Sequence, residues 1–365
     1  MVQESSSYIL MSIKIVYSEQ VNIPLYCFNA IHPFDTTKFG KIYSRLLLID
    51  GIDEKNNVIQ GRMCTKEELL LIHTDNYLNS LYDSKTIAMI CQVAPLQWIP
   101  NFLLQWYLMT PMWYHTGNTI VAAENAIQNK NGGGCICLSG GMHHASSKSG
   151  GGWCFFSDIS IAIKILKNKG LAKKFMIIDL DYHRGNGYQL DKFQGLLTQK
   201  KEDVYIMDVY SKNSYPFYGT EQKSIDTDGA ISALDIYKDI KLIDSENYTE
   251  CSTVDFDKIF STNFDKFYLE HVNKLLKKSF EEFDPDIIFY NAGSDVLEDD
   301  PLGNFTLTVD GLRKRDEMVI QKCVDNKIPF VMTLSGGYGK ENYKAVHGSI
   351  SNIIGKFDNE KSIHK

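Results

Sequence analysis

The sequence has no long hydrophobic run, no excess of positive charge, no paired cysteine motif and no repeat. Each of these gaps removes a class of function. No stretch reaches the roughly 18 apolar residues a membrane span needs. The segment from Cys91 to Met112 is apolar in patches but is broken by Gln92, Pro95, Gln97, Pro100, Asn101, Gln105 and Pro111. A net charge of −7 argues against direct nucleic-acid binding, which needs a basic patch. The eight cysteines, at 27, 64, 91, 135, 137, 154, 251 and 323, form no Cys-x-x-Cys pair. With no signal peptide, they are expected to be free thiols in a reducing, intracellular compartment, nuclear or cytoplasmic. No low-complexity tract or linker divides the chain, so its 365 residues are expected to form one large α/β unit. Nothing in the sequence sets an oligomeric state.

What is present is a rhythm. Short apolar runs read as strands: Lys14 to Tyr17, Cys135 to Leu138, Phe175 to Ile178, Val204 to Val209, Asp286 to Tyr290 and Pro329 to Leu334. Helical stretches are expected at Phe39 to Leu48, Gly117 to Gln128, Asp158 to Lys169, Phe264 to Phe280 and Val309 to Val324, with a capping box at Thr65-Lys66-Glu67-Glu68 opening a helix over Leu69 to His73. Residues 95–115 read as ordered loop with short helices, 220–260 as a charged surface excursion, 1–12 as a flexible arm and 356–365 as a frayed tail around a domain spanning 13–355. Strands alternating with helices mean a parallel sheet covered on both faces, with ligands beyond the carboxyl ends of the strands. The last five runs each end in a polar cluster.

The cluster after Phe175 to Ile178 is Asp179-Leu180-Asp181-Tyr182-His183. Alternate residues of an extended chain share a face, so Asp181 and His183 can converge on one divalent metal, zinc being favoured by the O/N ligand set, with Asp179 behind them. The alternative is a polar strand-to-loop turn. A third ligand is offered by Asp295, after Asn291-Ala292-Gly293-Ser294, which otherwise reads as a helix N-cap; Asp299 and Asp300 precede Pro301 and suit turns. His143-His144 is a tandem pair at a strand end, read as a proton-transferring site or as structural histidines. Asp179 and Asn186 can each orient one imidazole, and a carboxylate partner favours the charged ring where an amide does not. Tyr338, in Ser335-Gly336-Gly337-Tyr338-Gly339, is a candidate oxyanion donor or a turn tyrosine. Trp153, after Gly150-Gly151-Gly152, walls a channel or joins an aromatic core.

Taken together, the paired histidines, Gly152-Trp153-Cys154, the Asp-x-Asp-x-His string, the late aspartate and Gly336-Gly337-Tyr338 resemble the zinc-dependent histone deacetylases over Lys14 to Ile354. His32-Pro33-Phe34-Asp35, Asn186, Tyr205-Ile206-Met207-Asp208-Val209-Tyr210 and Tyr290-Asn291-Ala292-Gly293 are similar to the class IV type. The resemblance implies the arginase/deacetylase fold, a single parallel eight-stranded sheet flanked by helices. It implies one zinc on Asp181, His183 and Asp295, and structural potassium beneath Asp179, Asp181 and His183. By the same resemblance His144 is the general base and acid, His143 backed by Asp179 its electrostatic partner, and Tyr338 the carbonyl-polarising donor. Gly152, Trp153, Tyr215, Gly336 and Gly337 then line the tunnel for the stem of an acyl-lysine in a protein such as a histone. The acyl group is acetyl, long-chain or both. Two departures bear on the tunnel: Trp153 stands where the family usually has Phe, and Phe217 where it usually has Gly.

Rival readings stay open. A two-manganese ureohydrolase of the same fold needs aspartates where this chain has Gly185 and Gly293, which disfavours it. A deacetylase of a small amine, such as an acetylpolyamine, needs acidic residues at the tunnel mouth. A weakly active partner-binding scaffold would not need the full set of ligands, histidines and tyrosine.

Overall fold

Runs of Val, Ile, Phe and Met too apolar to alternate are suited to strands buried on both faces, and the computed structural model places them so. It describes residues 12–23, 33–128, 133–212, 214–216, 230–234 and 256–358. Eight strands form one sheet: β1 Ile13–Tyr17, β2 Val58–Gln60, β3 Gly134–Cys137, β4 Phe175–Asp179, β5 Val204–Ser211, β6 Ala230–Leu234, β7 Ile287–Asn291 and β8 Phe330–Thr333. Their order is β2-β1-β3-β8-β7-β4-β5-β6, and every pairing is parallel. The middle strands β3, β8, β7 and β4 are buried along their whole length. Parallel strands need crossovers, and helices supply them: α1 Lys38–Leu46, α2 Ser84–Cys91, α3 Thr110–Gln128, α4 Asp158–Asn168, α5 Asn186–Phe193, α6 Phe256–Glu282, α7 Val309–Asp325 and α8 Asn342–Phe357.

Besides β2, whose three residues are too short to show as an apolar run, the structure departs from the sequence reading in four places. The capping box is formed, with Thr65 and Glu68 each satisfying the other's backbone N–H, but the helix it opens is one turn, Lys66–Leu69. Thr74 caps a second short helix, Asp75–Ser80, so the expected helix over Leu69 to His73 is divided. Helix α3 begins at Thr110 rather than Gly117 and follows a π-turn at Gln105–Met109. Pro111 reads as a loop signal, yet it lies within a continuous helical run from Asn101, where the wide π-turn before it accommodates the ring and the missing N–H. Gly117 instead lies mid-helix at a backbone contact, where a Cβ would fall 1.9 Å from the Arg62 carbonyl oxygen.

The third departure is β6, which pairs with β5 inside the stretch expected to be a surface excursion; five residues flanked by charge leave too short a pattern to see. Residues 220–229 and 235–255 lie outside the described residues. The fourth is the tail: α8 runs to Phe357, whose ring is buried, while 359–365, like the arm at 1–11, lie outside the described residues. Among the described residues no helix is long and apolar enough to cross a membrane. The six described cysteines are free and buried; Cys27 and Cys251 lie outside.

Phe330 opens β8 fully buried, with its ring over Gly134 of β3. Phe330→Ala should cost about 3–5 kcal/mol of stability, the usual price of a large core cavity. A urea-denaturation midpoint equal to that of the unsubstituted protein would contradict this packing.

Candidate active site

The loops after β3, β8, β7 and β4 leave four neighbouring strands at the same, carboxyl edge of the sheet. They bring His143 and His144, Tyr338, Asp295, and Asp181 with His183 to one place, as a parallel sheet does with its strand ends. One ligand atom each from Asp181, His183 and Asp295 lies within 4.8 Å of the others. His183 Nδ1 is 2.9 Å from Asp295 Oδ2 and 3.3 Å from Asp181 Oδ1. Asp295 lies in a turn and caps no helix.

Two glycines make this cluster sterically possible. A Cβ on Gly293 would fall 2.0 Å from Asp181 Oδ2, and one on Gly336 2.4 Å from Asp295 Oδ2 and 2.7 Å from Asp181 Oδ2. The Gly336 N–H donates to Asp181 Oδ2 at 3.0 Å. Burial, and then the neighbouring charge of Asp181, push the Asp295 carboxyl up from its ordinary range. Two buried carboxylates and an imidazole around a gap free of Cβ atoms are a donor set that fits a divalent cation such as zinc. Gly293 leaves no room for the further aspartate of a two-metal site.

The two histidines stack beside the cluster with ring centroids 4.1 Å apart, in unlike surroundings. His143 Nδ1 is 2.9 Å from Asp179 Oδ2, and its Nε2 is 3.6 Å from Asp181 Oδ1. Burial opposes a charge on His143, but Asp181 and Asp179 outweigh it and push its pKa up to about 9. His144 Nδ1 meets the amide oxygen of Asn186 at 2.7 Å. Burial, and then the charges of His143 and His183, hold His144 well below the ordinary imidazole range. One ring is thus adapted to the charged form and the other to the neutral form.

A cavity of about 40 Å³ runs down to both histidines, walled by Phe34, Gly152, Trp153, Gly336 and Tyr338. The rings of Phe34 and Trp153 lie 5.2 Å apart and those of Phe34 and Tyr338 6.0 Å apart. Gly152 takes φ +52° and Trp153 φ +66°. Glycine at 152 suits the left-handed turn and also avoids a clash, since a Cβ would lie 2.7 Å from His144 Cδ2. Tyr215 sets its ring edge-on to His144 at 4.8 Å, while Phe217 lies outside the described residues. Gly337, at φ +126°, makes the turn that carries Tyr338, whose N–H donates to Asp300 Oδ2 at 2.7 Å. Asp300 also accepts from the N–H groups of Leu302 and Gly303, so its turn role extends to the tyrosine loop.

Several residues that hold the site carried no signal in the sequence. Lys38 is buried and donates to the carbonyls of Ser335, Gly336 and Gly337 at 2.7, 3.1 and 3.3 Å, fixing the tyrosine loop from α1. Asp158, at the start of α4, accepts from the N–H groups of Gly141 and Met142, which shapes the turn before the histidine pair. Asp179 accepts from the Tyr188 hydroxyl at 2.6 Å and from the Asn291 amide at 3.1 Å. In the sequence Phe34 stands out only as part of His32-Pro33-Phe34-Asp35. Its place in the wall, like that of Lys38, depends on contacts across some 300 residues of chain, which no local pattern reveals.

Comparison with known proteins agrees with this geometry. Residues 32–354 match the histone deacetylase domain model. The chain is similar to histone deacetylase 2 of Arabidopsis thaliana, 34% identical over 94% of this chain and 79% of that one. It is also similar to the acetoin utilization protein AcuC of Bacillus subtilis, 24% identical over 78% of this chain and 67% of that one. Among solved structures, a histone deacetylase homolog from Aquifex aeolicus shares the fold with a TM-score of 0.64 at 22% identity, over 95% of this chain and 84% of that one. With its family domain spanning most of the sequence and the strand-end cluster in place, the chain belongs to the histone deacetylase domain family, a group of deacetylase-type hydrolases.

Proposed function

We propose that the protein is a zinc-dependent hydrolase that removes an acyl group from the N6-amine of a protein lysine. The observation that carries this reading is the buried Asp181–His183–Asp295 cluster beside two histidines in opposite electrostatic surroundings. Zinc held by those three residues supplies Lewis acidity, which lowers the pKa of a water from 15.7 to about 7 in favourable sites and polarises a carbonyl. His144, kept neutral, accepts the proton of the attacking water and returns one to the departing lysine amine. Asn186 orients His144 through Nδ1, leaving Nε2 for that transfer. His143, charged and backed by Asp179, balances the negative charge that develops beside it. Tyr338 donates its phenol to the carbonyl oxygen as that oxygen becomes anionic. Burial, and then Asp295 and Asp181, hold the phenol protonated, as a donor must be.

Gly152, Trp153, Tyr215, Gly336 and Gly337, joined by Phe34, form the tunnel for the lysine stem. The cavity of about 40 Å³ beside the two histidines, between Phe34, Trp153 and Tyr338 and reaching Phe39 and Met112, holds a few water-sized groups, which supports a short acyl group such as acetyl. Phe34-Asp35, Asn186 and Tyr205 to Tyr210 support the class IV type. Potassium beneath Asp179 is supported by Asp208, its neighbour on β5, whose buried Oδ1 has no hydrogen-bond partner among the described residues.

On one lysine peptide bearing acetyl, octanoyl or myristoyl, turnover should fall as the chain lengthens; turnover rising with length would reject the acetyl preference. No turnover on any of the three by zinc-loaded protein would shift the substrate to a small amine. Tyr338→Phe should keep zinc and lose about 10²–10³ in kcat, the usual cost of one oxyanion donor; unchanged kcat would remove that role. Asp295→Ala and Gly293→Ala should both lose zinc, the second by pressing a methyl onto Asp181, and full occupancy measured by elemental analysis in either would contradict the ligand set.

A further inference from the structure

The ladder between β4 and β7 ends at the pair Asp179 and Asn291. One further bond follows, from the Leu180 N–H to the Asn291 carbonyl at 3.1 Å. A parallel ladder would next pair the Leu180 carbonyl with the Gly293 N–H. Among the described residues that bond is not made, and the two carbonyl oxygens, those of Leu180 and Gly293, share one donor: Nη1 of Arg315, at 2.9 and 2.7 Å.

Arg315 comes from α7 and is fully buried. On its far side Nε donates to Asp316 Oδ1 at 2.9 Å, while Nη2 lies 2.8 Å from the same oxygen as an ion pair without a hydrogen bond. Asp316 in turn accepts from the hydroxyls of Tyr290 and Ser349. The adjacent carboxylate balances the guanidinium charge, so what reaches the ligand loops is a pair of aimed N–H bonds. An apolar residue would fill this core position without burying an ion pair, which is costly to desolvate. What arginine adds is a rigid planar donor that serves two acceptors from one nitrogen.

We infer that Arg315 is a positioning residue of the metal site, clamping the carbonyls one residue before Asp181 and two before Asp295 and so setting the separation of those two ligands. The inference rests on the reading of Asp181, His183 and Asp295 as metal ligands. Residues that orient metal ligands from behind are worth about 10–100-fold in metal affinity.

The test is zinc affinity of the full-length protein, Arg315→Lys and Asp316→Asn, by competition with a fluorescent chelator, beside thermal unfolding of the metal-free forms. Lysine keeps a cation next to Asp316 but has no planar fork. Arg315→Lys should weaken zinc binding about 10–100-fold and alter the visible absorption of the cobalt-substituted protein. Asp316→Asn leaves both carbonyl bonds in place, so it should retain the unsubstituted affinity even where its unfolding midpoint falls. Unchanged affinity and an unchanged cobalt spectrum in Arg315→Lys, or equal affinity losses in both variants, would overturn the role. Where Arg315→Lys does not fold, the pair Arg315→Gln with Asp316→Asn removes the buried charges together and faces the same two outcomes. An unsubstituted protein that binds no zinc would overturn the metal reading itself, a result distinct from either.

Discussion

The structure depends on burying three carboxylates, Asp179, Asp181 and Asp295, at the ends of two adjacent strands. Desolvating a carboxylate costs several kcal/mol unless positive charge and hydrogen bonds compensate. Every nearby device serves that need. Backbone N–H groups of Asp181, Tyr182, His183 and Gly336 donate to the three side chains. Tyr188, Asn291 and the imidazoles of His143 and His183 supply the remaining contacts. The proposed divalent cation between Asp181 and Asp295 would complete the balance, and no Cβ at 293 or 336 intrudes on that space.

From that requirement the architecture follows. A parallel sheet gathers its strand ends on one edge, so residues as far apart in the chain as His143 and Tyr338 meet a few residues beyond their strands. The middle strands, apolar on both faces, form a rigid base. Above it Lys38 and Asp300 hold the tyrosine loop, and Asp158 holds the histidine turn. Asp181 and Asp179 raise the proton affinity of His143, while burial and the charges of His143 and His183 lower that of His144, so the two adjacent imidazoles favour opposite protonation states.

Much of this was legible in the sequence because its signals are local. Strand runs of Val, Ile and Phe, the two-residue spacing of Asp181 and His183, and the tandem histidines can each be read within a few residues. That Asp179 and Asn186 each orient one imidazole was readable as chemistry, while the assignment of Asp179 to His143 rested on the family resemblance. What was not legible depends on distant contacts. Lys38 looks like any helix-start lysine, yet it is buried against the tyrosine loop. Arg315 sits in a charged run, Arg313-Lys314-Arg315-Asp316, where nothing marks it as the one that turns inward. Helix α3 was cut short because Pro111 and its aromatic neighbours look like a loop. Strand β6 was hidden by the charges around it.

The most direct test is a zinc titration of metal-free protein followed by thermal unfolding and by metal analysis after dialysis. One equivalent of zinc should bind per chain, and free zinc at about 100 times the dissociation constant should add about 2.7 kcal/mol of stability. A protein that retains no zinc and unfolds at the same temperature with and without it would contradict the claim that these buried carboxylates are arranged around a metal.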